Sequence, residues 1–224
     1  MIASRPLRIV FDLDDTLYDE RDYALSALGF AGRLIDEQCG STNAGQRLVS
    51  LFDAGHRDAI GAVCSDLEMA AAAKIKLIDA MRAHRPDISL RPDSARLLHR
   101  LRSARAVFSI LTDGRSVTQR AKIAALGLQD AKHIIVSEEI GAAKPSTAGY
   151  EKIAASGPDA DFVYVGDNPQ KDFVAPNRLG WSTVMVMDRG TNIHPQTGAF
   201  DPVQLPRHRI RSLDDLGSAL GRDL

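Results

Sequence analysis

Short apolar runs that end on acidic or hydroxyl residues alternate, over most of this chain, with longer stretches of helical spacing. The run Leu7-Arg8-Ile9-Val10-Phe11 is mostly apolar and partly β-branched and stops abruptly at Asp12, as a buried parallel strand does where it delivers its last residues to a site. From about Glu20 to Arg85 the texture becomes Ala- and Leu-rich, with Gly40-Ser41-Thr42-Asn43, Gly55 and Gly61 as breaks. Leu25, Leu28, Gly32 and Ile35 recur at helical spacing, and Ala71, Ile75, Ile78 and Met81 do the same between Ala70 and His84. That spacing predicts several amphipathic helices packed as a small bundle, with these residues inward.

After Pro86-Asp87 the pattern changes back. Pro92-Asp93 offers an N-cap and turn before a helix over Ser94 to Arg102. Strands read at Ala106–Leu111, Lys132–Val136, Asp161–Val165 and Ser182–Met187, separated by helices near Val117–Leu126, Thr147–Ser156 and Lys171–Leu179. Gly127, Gly157 and Gly180 follow helical runs as C-terminal caps. Arg189 to Arg207 reads as a loop, and Ser212 caps a last helix through Leu220. Such alternation predicts an α/β fold, a Rossmann-like parallel sheet with helices on both faces. The core would comprise residues 1–18 and 87–224, with a helical cap, residues 19–86, inserted after the first strand.

A chain of 224 residues can bury a core without disulfides or metal staples. Its 28 Lys+Arg against 29 Asp+Glu leave no excess of cations for gripping nucleic acid. No apolar run approaches the roughly 18 residues that span a bilayer, and Asp12, Asp14 and Asp15 fall where a signal peptide would carry its apolar segment. The expectation is a cytoplasmic protein. Cys39 and Cys64 have neither a CxxC frame nor a His at ligand spacing, so they read as two buried thiols and not as a zinc site or a disulfide.

In an open parallel sheet, ligands bind beyond the carboxyl ends of the strands. The residues found there are Asp12-Leu13-Asp14-Asp15-Thr16, then Thr112-Asp113-Gly114, then Lys144-Pro145 in the loop after the third strand, then Gly166-Asp167-Asn168 with Asp172 a turn later. Singly, each Asp could be a helix cap or turn residue. Converging on one edge, three acidic clusters repel one another unless a cation sits among them. A hard, oxygen-liganded divalent ion answers that need, Mg2+ foremost. Lys144 and the Thr112 hydroxyl add a fixed positive charge and a donor, and the set describes a phosphate site in which Asp12 can attack phosphorus.

These residues resemble the motifs of the haloacid dehalogenase (HAD) superfamily, and the likeness covers nearly the whole chain. The superfamily's first motif is an apolar strand ending in Asp-x-Asp-x-Thr, here Asp12, Asp14 and Thr16. Its second is a Ser or Thr after a strand, here Thr112; its third a Lys, here Lys144; its fourth an acidic pair, here Asp167 and Asp172. A helical cap after the first motif resembles the C1-capped branch. The resemblance implies a phosphatase acting on a small phosphorylated metabolite such as a sugar phosphate or nucleotide monophosphate. In it Asp12 is the nucleophile and Asp14 the acid and then the base. The Asp12 carboxylate, the Asp14 main-chain carbonyl and Asp167 would ligate Mg2+, with Asp172 a further ligand through water or a partner of Lys144. Main-chain N–H groups of Leu13, Asp113 and Gly114 would hold the phosphoryl group.

Related readings differ at definite points. A dehalogenase proper lacks the acid that Asp14 supplies. A phosphonatase needs a cap Lys for a Schiff base, and Lys74 and Lys76 read as surface charges. A phosphomutase of the same fold stays open, as does a non-hydrolytic phospho-accepting module, which would need neither Asp14 nor the cap. Tyr18, Asp19, Glu20, Arg21 and Tyr23, with His84-Arg85, stand where the chain leaves and re-enters the core, as candidates to touch the leaving group or as plain hinge residues.

Overall fold

The computed structural model describes residues 5–224. Six parallel strands form one sheet in the order β3-β2-β1-β4-β5-β6: β1 Leu7–Phe11, β2 Phe108–Thr112, β3 Ile134–Val136, β4 Asp161–Gly166, β5 Ser182–Val186 and β6 His208–Ile210. β1 lies between β2 and β4, with Phe11 opposite Ile110 on one side and Val165 on the other. Adjacent side chains of a strand point to opposite faces, and both faces here are apolar. Ile9, Phe11, Val163 and Val165 enter one cluster, while Val10, Phe162 and Tyr164 enter the other. Burial on both sides is why these strands read as continuous apolar runs.

Between β1 and β2 come α1 Glu20–Cys39, α2 Ala44–Asp53, α3 Ala59–Asp66, α4 Ala71–Ala83 and α5 Pro92–Ser103. The first four share their own core around Leu28, Ala31, Ile35, Leu48, Val63 and Leu77. Gly32 of α1 faces the main chain of Gly45 in α2, where a Cβ would clash, so these two helices pack backbone to backbone. The remaining helices are α6 Ser116–Ala125, α7 Ser137–Ile140, α8 Ala148–Ala154, α9 Val174–Arg178 and α10 Leu216–Leu220. Among the described residues, no helix is long and apolar enough to cross a membrane.

Several local expectations need correction. α4 turns Leu77 inward and leaves Ile75 62% exposed. Apolar and charged residues are interleaved around that helix, so periodicity alone does not select the buried face. Cys39 is exposed, and only Cys64 is buried. Gly127 and Gly180 have the positive φ of a C-terminal cap, at 66° and 76°, whereas Gly157 does not; it lies against the Arg8 guanidinium, where a side chain would collide. β6 and α7, of 3 and 4 residues, are too short to show a period.

α5 begins at Pro92 in its first turn, the position where a missing N–H costs nothing. Asp93 is therefore no N-cap. It turns inward, accepting from Leu213 N at 2.9 Å, from Ser212 Oγ at 3.1 Å and from the Arg189 guanidinium. Burial raises its carboxyl, but these donors outweigh burial and hold it at about 2 against an ordinary 3.8. A folded-state value below the unfolded one stabilises the fold fully above about pH 4 and is lost as pH falls towards about 2. Asp93→Asn is expected to lower unfolding free energy at pH 7 by on the order of 2 kcal/mol. It should also flatten the acid limb of stability against pH in urea titrations. A variant as stable as the parent at pH 7 contradicts this.

Candidate active site

Asp12 follows β1 directly, and its N–H donates to Val165 O of β4 at 2.8 Å, so the sheet itself sets its place. Because β4 is the neighbour of β1, Asp167 arrives beside it. Asp172 sits a turn later, with Oδ2 accepting from the N–H groups of Asp167 and Asn168 at 3.1 and 2.8 Å. Gly166 makes that turn possible: a Cβ there would strike the Asp172 carboxylate. Carboxylate oxygens of Asp12, Asp167 and Asp172 lie within 4.8 Å of one another, all buried.

One cation stands among them. Lys144 Nζ is 2.9 Å from Asp12 Oδ1 and 2.7 Å from Asp172 Oδ1, and it donates to Tyr164 Oη at 3.0 Å. The loop carrying it is anchored by its own N–H, which donates to Asp113 Oδ1 at 3.1 Å, and continues through a cis Lys144-Pro145 bond. Burial disfavours the ammonium, yet Asp12 and Asp172 hold its pKa well above the ordinary value. Three carboxylates are more than one Lys neutralises. Burial lifts Asp167 to about 9, with the charges of Asp172 and Asp12 adding to it. Asp12 is left at about 6 by burial, against Lys144 and with Asp172. An all-oxygen acidic group short of positive charge fits a hard divalent cation.

Thr112 ends β2 with its Oγ1 buried and without a partner among the described residues, a donor free for an incoming oxygen. Gly114 N–H, expected to face a phosphoryl group, instead donates to Ser137 Oγ at 3.0 Å. Asp113 serves Lys144 N and lies 3.6 Å from Lys171 Nζ.

Asp14 is held by three donors that sequence reasoning missed or left unassigned: Lys122 Nζ at 2.7 Å and Tyr18 Oη on Oδ1, and Gln119 Nε2 at 3.1 Å on Oδ2. Burial pushes this carboxyl up, but the Lys122 charge and the three hydrogen bonds hold it below its ordinary value. Gln119 and Lys122 lie three apart on one face of α6, which is the only signal the sequence carried. Asp15 adopts φ 52°, a left-handed geometry that L residues resist. Its carboxylate accepts from Glu20 N at 2.9 Å and Ile193 N at 2.8 Å, while Arg91 Nη1 donates to its carbonyl at 2.8 Å. The loop after β5 is also tied in: Asn192 Nδ2 donates to Asp167 Oδ2 at 3.0 Å, and Gln196 Nε2 to Asp167 O at 2.9 Å.

A cavity of about 380 Å³ opens over Asp14, Asp113, Gly114 and Gln119, with Glu20 and Arg82 from the helical insert on its wall. Burial and the Asp14 charge raise Glu20 to about 7. Other hinge candidates lie elsewhere. Arg21 pairs with Asp53 at 2.7 Å, Asp19 with Arg91 at 2.7 Å, and His84 is buried against Tyr23 and Phe30. Lys74 pairs with Asp58 at 3.0 Å on the surface of the insert.

The profile of the haloacid dehalogenase-like hydrolases matches residues 9–186, from β1 to the end of β5. The chain belongs to that family. This hydrolase is 29% identical over 195 residues to the glyceraldehyde 3-phosphate phosphatase of Methanopyrus kandleri, covering 80% of this chain and 82% of the relative. It is 28% identical over 198 residues to the glyceraldehyde 3-phosphate phosphatase of Methanocaldococcus jannaschii, covering 80% and 84%. The magnesium-bound HAD-hydrolase YfnB of Bacillus subtilis shares its fold, with a TM-score of 0.62 at 24% identity over 97% of this chain and 99% of that one.

Proposed function

We propose that this hydrolase is a Mg2+-dependent phosphatase of small sugar phosphates that works through an aspartyl-phosphate on Asp12. The observation that carries the reading is the buried carboxylate group of Asp12, Asp167 and Asp172 around the single ammonium of Lys144. The names of the curated relatives favour a sugar phosphate as substrate. Mg2+ would be held by the Asp12 carboxylate, the Asp14 main-chain carbonyl and Asp167, while Asp172 is occupied with Lys144 and two N–H groups. When bound, it supplies positive charge that lets two anions, carboxylate and phosphoryl group, approach each other.

In the first half-reaction an Asp12 oxygen attacks phosphorus, and the bond to the ester oxygen breaks with its electron pair. Asp14, which the negative phosphoryl group beside it would bring to its protonated form against Lys122, gives that oxygen a proton as it leaves. Lys144 and the Thr112 hydroxyl stabilise the phosphoryl oxygens. In the second half Asp14 takes a proton from water, whose oxygen attacks phosphorus and frees Asp12 as a carboxylate. The helical insert, residues 20–83, acts as the cap, with Glu20 and Arg82 facing the leaving group.

Phosphate release from a panel of sugar phosphates that includes glyceraldehyde 3-phosphate tests this. At least one is expected to reach kcat/KM of about 10⁴ M⁻¹s⁻¹. Transfer of the phosphoryl group to a second sugar, with no free phosphate, would make the protein a mutase instead. Asp14→Asn is expected to lower turnover of alkyl phosphates by about 10²-fold or more. Its release of nitrophenolate from p-nitrophenyl phosphate in a single turnover should fall far less, because nitrophenolate departs without an acid. Equal losses on both would remove Asp14 from the role.

A further inference from the structure

Lys122 is a buried ammonium in α6, 2% exposed, that neither the metal group nor the phosphoryl site uses. Its Nζ is 2.7 Å from Asp14 Oδ1 and stands 4.1 Å from the ring centroid of Tyr23, in the first turn of α1. A carboxylate offers about four acceptor positions. On Asp14, Lys122 and Tyr18 take both positions of Oδ1, and Gln119 takes one of Oδ2. With the donors of the described residues counted, one position is left, on Oδ2, in a side chain that lines the cavity. Gln119 gives the other N–H of its Nε2 to Asp113 O at 2.8 Å, so a single N–H of that amide reaches Asp14. The two donors on Oδ1 leave Oδ2 as the oxygen with room for a further partner.

We propose that Lys122, steadied by the Tyr23 ring, is a positioning residue that orients Asp14 so that its one free acceptor position exchanges the proton with the leaving oxygen and then with water. This rests on the phosphatase reading above and extends it to residues outside the motif positions. The proton balance is that of Asp14 alone. Oδ2 loses a proton to the leaving oxygen and regains one from water, while Lys122 keeps all of its own and holds the carboxylate in between. Tyr23 belongs to the helical insert and Lys122 to the core, so the acid is oriented by a contact between the two. A displaced insert would withdraw the Tyr23 face from the ammonium.

The test separates the half-reactions. Lys122→Met and Lys122→Arg are compared with the parent by stopped flow on p-nitrophenyl phosphate and by steady-state turnover of glycerol 3-phosphate, with circular dichroism as a check on folding. In Lys122→Met the nitrophenolate burst, which needs no acid, is expected to stay within about threefold of the parent, because the buried carboxylate still reaches other donors. Turnover of glycerol 3-phosphate should fall about 30-fold or more in kcat, with KM changed little. Lys122→Arg, which keeps charge and donors, should recover a substantial part of that loss. Should Lys122→Met not fold, the arginine variant and Tyr23→Leu carry the same comparison, each with a smaller loss confined to kcat for the alkyl ester. Burst and alkyl turnover falling together, or neither falling, overturns the proposal. A parent enzyme that releases no nitrophenolate at all would instead defeat the phosphatase reading itself, and where phosphorylation limits the rate, single-turnover release takes the place of the burst.

Discussion

Asp12→Asn is expected to abolish hydrolysis, with kcat reduced at least about 10⁴-fold on every substrate, good leaving group or poor. An amide is nearly the same size, so the β1 to β4 contacts of its main chain and the packing of the sheet end should survive. What disappears is the nucleophilic oxygen and one negative charge. Removing that charge relieves the repulsion that adds to burial in raising Asp167 to about 9 and leaves Lys144 paired with Asp172 alone. The variant should accordingly melt no lower than the parent in EDTA, and thermal unfolding monitored beside the activity assay checks both parts. A variant that kept a tenth of the parent's kcat would show that another group attacks phosphorus.

Lys144→Met should cost both activity and stability, the opposite pattern for the fold. Lys144 is the only side-chain cation touching Asp12 and Asp172 among the described residues. Its removal strands two buried carboxylates and leaves Tyr164 Oη without its donor. Breaking a buried pair from one side costs about 3–5 kcal/mol, so the variant is expected to lose about 3 kcal/mol in urea unfolding without metal. Added Mg2+ should restore part of that loss by binding the folded state. Activity should fall about 10³-fold or more even with Mg2+, because the phosphoryl oxygens lose a fixed charge. Stability equal to the parent's in EDTA would mean that the carboxylates are neutral in the resting protein.

The sheet and the ends of its strands were legible because both faces of β1, β2, β4 and β5 are buried, which leaves continuous apolar runs stopping at polar residues. Asp12, Thr112, Lys144, Asp167 and Asp172 stood out for that reason: each lies where a run ends or in the loop just beyond. The groups that orient them did not. Lys122 and Gln119 look like ordinary polar positions on a helix, and only folding turns them onto Asp14. Asp15 read as one more acid of a cluster, whereas its carboxylate ties down Glu20 and Ile193, which lie far apart in sequence. Arg91 clamps the same turn from the start of α5, a contact over more than seventy residues that no local pattern records. The stretch after β5 reads as a loop, and its hydrogen bonds to Asp167 come from Asn192 and Gln196, residues with no distinguishing spacing. The buried face of α4 is not legible because apolar residues and the charged Lys74, Lys76, Asp79 and Arg82 are interleaved around that helix.

The most direct measurement is hydrolysis of p-nitrophenyl phosphate by the purified protein with Mg2+, then with EDTA, with Asp12→Asn in parallel as the control for contaminants. Turnover is expected with Mg2+, with loss of nearly all of it in EDTA, recovery when Mg2+ is returned, and none from the Asp12 variant under any condition. Turnover that persists in EDTA, or that survives in Asp12→Asn, would contradict the Mg2+-dependent aspartyl-phosphate mechanism.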